Sequence, residues 1–229
     1  MATSKSLSHS DYLAKTGLYN KWAPGPLAAF QNLAKATFAD GVLSNADKEL
    51  IAVGCAHVLR CAYCIDYHVG LAAGAGASKQ EMSEAIWVGV AMAAGACFAH
   101  AAIGLRTMDG AEGDYYAQGD ESVLAQLAQA NPQAYGGYAE LNQAAFAEGT
   151  LSARLKRLIA IACAHNTRCP HCIDHHVGAA LGAGEDKHAI AEAIWVAIEM
   201  AAGASFGHAG LAAALMEEDI NANNDGTTD

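Results

Sequence analysis

A stretch of nine residues occurs twice in this chain, 108 positions apart: Arg60-Cys61-Ala62-Tyr63-Cys64-Ile65-Asp66-Tyr67-His68 and Arg168-Cys169-Pro170-His171-Cys172-Ile173-Asp174-His175-His176. The match widens around it, so that 18 of 28 positions are identical between residues 49–76 and 157–184. Single landmarks keep the same offset: Pro24 and Pro132, Phe38 and Phe146, Gly41 and Gly149, Ser44 and Ser152, Trp87 and Trp195, His100 and His208. This is a duplication, and it constrains the fold strongly, because two similar units must bury similar faces and share a core.

The repeated unit reads as helical. Hydrophobic residues make up 53% of the chain while aromatics are only 7%, and Ala and Gly are abundant. Small residues suit closely approaching helices better than a β-sandwich, so an all-α fold built from two homologous halves is expected. Ser44 with Asp47, and Ser78 with Glu81, have the spacing of helix-opening capping boxes. The expected parts are a polar lead-in over 1–22, with a short helix over 12–19 and no motif, a first repeat over 23–108 and a Gly-rich acidic linker over 109–120. A second repeat over 121–216 and a disordered acidic, Asn-rich tail over 217–229 complete the chain. Pro24-Gly25-Pro26 reads as a break before a helix starting at Leu27. Residues 85–105 are uncharged and long enough to cross a bilayer, but their twin, 193–213, holds Glu199; a buried core helix fits both better than a membrane span.

Charge and cysteine usage narrow the function. A formal net charge of -11 disfavours nucleic acid as a partner, since phosphate binding needs a basic face. Seven cysteines in a chain with ample core-forming residues do not read as structural disulfide staples, and Met1 to Ser10 has no apolar leader segment. A reducing, cytoplasmic setting is expected.

The chemistry sits in the repeated motif. Proline is favoured at the first helical position and holds the residue before it out of the α region, so Pro170 places Cys169 at an N-cap, and by repetition Cys61 takes the same place. Cys64 and Cys172 then fall in the first turn, with His68 and His176 one turn further along the same face. A helix N-terminus favours thiolate, and Arg60 and Arg168 add positive charge beside it. Cysteines two residues apart at a helix start can close a disulfide, with the histidine moving the proton. Cys and His are also zinc ligands, although each half offers only three obvious ones and a zinc ribbon needs its pairs close in sequence. Haem attachment needs His directly after the second cysteine, where Ile65 and Ile173 stand. Small buried cysteines filling an Ala/Gly core describe Cys55, Cys163 and Cys97 better than the motif cysteines.

Glu49 followed by Cys61, Cys64 and His68 resembles the signature of AhpD-like alkylhydroperoxidases within the carboxymuconolactone decarboxylase superfamily, and the likeness extends over both halves. It implies an all-helical, duplicated AhpD-like fold. It further implies a peroxidase or disulfide reductase in which Cys64 attacks peroxide, Cys61 resolves the sulfenate, and Glu49 and His68 relay protons. The helix-dipole argument by itself favours Cys61 as the more acidic thiol, so the order of attack stays open. No flavin or nicotinamide fingerprint occurs, so no cofactor is expected and reductant must come from outside; the resemblance points to a lipoyl or thioredoxin-like partner. A homo-oligomer, by resemblance a trimer, is expected. The alternatives are a carboxymuconolactone-decarboxylase-like lyase, which would not use the cysteines, and a metal-binding or redox-sensing module.

The two copies differ at telling positions. Arg157 stands where the motif has Glu49, so the second copy keeps Cys169, Cys172 and His176 without the carboxylate. Arginine cannot relay a proton at neutral pH, and the first site is expected to be the competent one. Glu199, where the first long helix has Ala91, could supply the missing carboxylate to the second site; a carboxylate reaching solvent or an interface is the simpler expectation. His57, His165, His100 and His208 read as hydrogen-bonded core residues, Asp66 and Asp174 as structural, and Trp87 and Trp195 as core.

Overall fold

The computed structural model describes residues 9–110 and 121–224, and every regular element in them is helical. The lead-in forms helix α1 (His9–Lys15), a 3-10 turn (Thr16–Leu18) and helix α2 (Tyr19–Trp22). Helix α3 (Pro24–Phe38) begins on the proline expected to break the chain. Proline costs nothing in a first helical turn, where its missing N–H would have no partner. The first repeat continues with α4 (Asn45–Val58), α5 (Ala62–Gly74) and α6 (Lys79–Met108). Ser44 and Ser78 cap α4 and α6 with complete capping boxes, as their spacing predicted.

The second repeat retraces this order through α7 (Glu121–Ala130), α8 (Pro132–Phe146), α9 (Ala153–Thr167), α10 (Pro170–Gly182) and α11 (Lys187–Asn224). Most of the expected linker, with Tyr115 and Tyr116, lies outside the described residues, as do the last five positions. The expected disordered tail is corrected in part: α11 runs on through Asn224. Near its end Lys15 pairs with Glu217, tying the lead-in to it.

The shared core forms where α4, α6, α9 and α11 meet. Ile51, Val53, Val88, Leu158, Ile159, Ile161 and Val196 are fully enclosed there, and this burial, not helix propensity, holds such Ala-rich helices together. Cys55 and Cys163 are buried in it and hydrogen-bond across the two halves; that contact and burial push the Cys163 thiol well above its ordinary range. They are core residues, as expected. Cys97, expected beside them, is exposed. Trp87 and Trp195 are 53% and 52% exposed rather than core, because both stand on the outer faces of the long helices. α6 and α11 are apolar enough to span a bilayer by length and composition; each packs against both α4 and α9.

The long helices also cross between halves. Glu192 of α11 accepts hydrogen bonds from Val42 and Leu43 N–H at 3.0 and 2.9 Å and pairs with buried Lys48 at 3.1 Å. In return Glu84 of α6 accepts from Thr150 and Leu151 N–H at 2.8 and 3.1 Å and pairs with buried Lys156 at 2.8 Å. A Cβ at Gly149 would stand 2.6 Å from the Glu84 carboxylate, and Gly41 is closed in the same way by Glu192. Only glycine lets the backbone meet the acid so closely.

Candidate active site

Each motif helix begins as Pro170 predicted. Cys61 and Cys169 are N-caps with extended backbones, and their sulfurs accept the Cys64 and Cys172 N–H at 3.2 and 3.3 Å. The turn into each helix is made by Arg60 and Arg168, both left-handed at φ 55°. Both arginines are exposed. Their distinguishing feature is thus the backbone shape, and a solvated charge adds little to the thiols.

In the first half Cys61 and Cys64 are joined as a disulfide. Behind them α4 presents Glu49, 2% exposed, whose carboxylate accepts a hydrogen bond from His68 Nδ1 at 2.8 Å. The pairing fixes the ring's tautomer and leaves Nε2 to exchange protons. The structure therefore brings together Glu49, Cys61, Cys64 and His68. Cys64 and His68 line a cavity of about 580 Å³, with Glu49 at its back and Leu27, Phe30, Phe38 and Phe206 among its apolar walls. Cys61, wholly buried, does not reach it. The lead-in contributes Leu13 to this lining, a role its sequence gave no reason to expect.

Glu199 lines the same cavity. The expectation that it serves the second site or solvent is corrected: α11 crosses onto α4 and α5, which brings Glu199 to the first site. It is 4% exposed, and its Oε2 has no hydrogen-bond partner. Burial raises its pKa, the His68 charge opposes this, and Glu49 raises it further, with a net upward shift. The sequence signal for Glu199 was its presence in the otherwise uncharged stretch 193–213; its destination was not encoded locally.

The second site keeps the thiols and loses the acids. The Cys169 and Cys172 sulfurs lie 2.7 Å apart, inside non-bonded contact. Burial foremost, then the hydrogen bond and charge of Cys169, push the Cys172 thiol up to about 12. The sequence argument expected the opposite, and here burial outweighs the helix N-terminus. Burial and neighbouring His175 hold His176 down to about 4, so it is neutral at physiological pH. Arg157 takes the Glu49 position with a buried, unpartnered Nε. Tyr138, the counterpart of Phe30, stacks on Phe98 at 4.7 Å, and Tyr135 joins the cluster.

Of the remaining histidines, His57, His165 and His208 each place Nδ1 on the carbonyl four residues before, at 2.8, 2.8 and 2.7 Å. His208 also meets Tyr63 edge-on across the halves. Asp66 and Asp174 are exposed.

Two helical repeats, each opening a helix on Cys-x-x-Cys, with a carboxylate–histidine pair behind the first, define a duplicated cysteine-pair protein. Residues 24–106 and 132–215 each match the carboxymuconolactone decarboxylase family, and the chain belongs to that family as a tandem pair of its domains. It is 42% identical over 97 residues to uncharacterized protein 4 in the cox locus of Paracoccus denitrificans, covering 42% of this chain and 87% of that protein. An uncharacterized protein of Cupriavidus necator is 33% identical over 79 residues, 34% of this chain and 70% of its own length. These two relatives thus have about the length of one repeat. A crystal structure described as a γ-carboxymuconolactone decarboxylase subunit from Burkholderia xenovorans shares the fold with a TM-score of 0.66. It covers 96% of this chain and 93% of its own at 16% identity.

Proposed function

We propose that the chain is a cytoplasmic thiol-dependent peroxidase and disulfide oxidoreductase acting at its first site. The observation that carries this reading is the placement of Cys64: it faces the cavity beside His68, while its partner Cys61 lies behind it within disulfide reach. Reduced Cys64 yields its proton to His68, which Glu49 orients, and the thiolate attacks the peroxide. Cys61 then displaces water from the sulfenic acid, forming the disulfide, and an external dithiol, lipoyl or thioredoxin-like, restores both thiols. The outward position of Cys64 favours it as the attacking thiol over the N-cap Cys61. Association into a homo-oligomer, with a trimer as the first candidate, belongs to the same proposal.

The test is hydroperoxide turnover with dihydrolipoamide or a thioredoxin system as donor. Cys64→Ser should abolish it, a loss of about 100-fold or more, while Cys172→Ser leaves it within about twofold. Equal losses would remove the asymmetry. A lyase reading has its own support, because Glu49, His68 and Glu199 form an acid–base group in one cavity without needing a thiol. Activity on a lactone carboxylate that survives Cys61→Ser and Cys64→Ser would favour it. Stoichiometric zinc in freshly purified protein would instead favour a metal-binding module; among the described residues no group of three or more His, Cys, Asp or Glu side chains is arranged to hold a metal ion.

A further inference from the structure

Glu49 is already hydrogen-bonded to His68, whereas Glu199, which lines the same cavity, has a buried Oε2 with no hydrogen-bond partner. A buried carboxyl oxygen without a partner is rare in a native fold and points to a ligand that completes it. The chain carries its own control. Position 91 is the counterpart of 199, and Ala91 is buried there in the same packing role. The fold therefore does not need a carboxylate at this place, and the acid is found only on the site that also has Glu49.

We propose that Glu199, delivered by the second repeat, is the general acid of the first site, protonating the alkoxide released when Cys64 cleaves an organic hydroperoxide. The assignment rests on the peroxidase reading above. In balanced form, the Cys64 thiolate takes the terminal OH of RO–OH: an S–O bond forms, the O–O bond breaks, sulfur is oxidised and the peroxide reduced. The alkoxide takes the proton of Glu199 and leaves as ROH. The proton that His68 removed from Cys64 then returns to Glu199. Cys61 thiol next attacks the sulfenic acid, expelling water, and the external dithiol reduces the disulfide.

Glu199 suits this role because its burial, at 4% exposure on the cavity wall, favours the protonated carboxyl. The ionisable groups facing the cavity are Lys35 from α3, Glu49 from α4, and Tyr63, Cys64, Tyr67 and His68 from α5. Burial and the Glu49 charge outweigh His68 in holding the Glu199 proton. The apolar walls around Phe30 and Phe206 fit the carbon body of an organic peroxide.

The experiment compares two peroxides that differ in leaving group. An alkoxide needs a proton to leave, but a carboxylate from a peroxyacid does not. Wild type, Glu199→Gln and Glu199→Ala are assayed with tert-butyl hydroperoxide and with peroxybenzoic acid, and their melting temperatures recorded. We expect both variants to lose about 100-fold on the alkyl hydroperoxide and less than about threefold on the peroxyacid. The Ala variant should melt close to wild type, as Ala91 already packs in its twin. Equal losses on both substrates would make Glu199 merely structural, and no loss on either would remove it from catalysis. Wild-type protein inactive on both peroxides would sink the peroxidase reading itself and the assignment with it.

Discussion

The two Cys-x-x-Cys sites have the same backbone and opposite surroundings. Both begin on an N-cap cysteine after a left-handed arginine, and both set a histidine against a phenylalanine, Phe38 on His68 and Phe146 on His176. The first places two carboxylates about its histidine; the second has Arg157 and Ala91 in their stead. The difference teaches that one backbone motif can hold a cysteine pair with carboxylates beside it or without them, and under the proposed function those acids are what activates the thiol. A thiol pushed up to about 12 next to a neutral histidine is a poor nucleophile at pH 7.

The comparison can be broken most sharply by rebuilding one site as the other. In a Cys64→Ser background, Arg157→Glu with Ala91→Glu should give Cys172-dependent peroxide turnover at least about tenfold above the single variant. Failure of this graft would mean that more than the acids separates the sites. A smaller effect is chemical: in reduced protein, iodoacetamide should alkylate Cys64 about tenfold faster than Cys172 at pH 7.5, read by mass spectrometry. Equal rates would show that the thiols are equally activated.

Stability tests what the halves share. Lys156→Met leaves Glu84 without its partner and should cost about 2–3 kcal/mol, less than a fully buried pair because Glu84 is a quarter exposed. Lys48→Met should match it if the clasps are equivalent. Burial raises Glu84, but Lys156 and the Thr150 and Leu151 amides outweigh it and bring the carboxyl to about 2; Glu192 is lowered in the same manner. A depressed acid stabilises the fold above its unfolded pKa, so this contribution should fade in wild type as pH falls from about 4.5 towards 2. Both Lys→Met variants should show a weaker fall, measured by urea unfolding. The smallest effect is expected at the arginines. Arg60→Gly and Arg168→Gly relieve a left-handed residue and should each raise stability by up to about 1 kcal/mol.

Much of this was legible in sequence. The offset of 108 gave the helical repeats, and Pro170 located both N-caps, because proline permits few alternatives at that point. Glu49 and His68 were readable as partners only through the family resemblance, since nineteen residues and a helix boundary separate them. Glu199 was visible as an anomaly, yet its destination was not, since a repeat shows which residues correspond and is silent on which half packs against which. The clasps escaped notice for a related reason: Lys48, Lys156, Glu84 and Glu192 recur at the offset, but charged residues on helices ordinarily mean solvent. The tail was misjudged because composition weighed its acids and asparagines without the long helix that continues into it.

The crossing of α6 and α11 separates the address of a mutation from the address of its effect. Position 199, in the second repeat, lines the site built on residues 49–68, and α6, which carries its counterpart 91, packs on α9 and α10 of the second half. Two identical single-repeat chains paired in this way would have to carry any such change on both sites at once. Fusion lifts that restriction, allowing one gene to specialise its two centres independently.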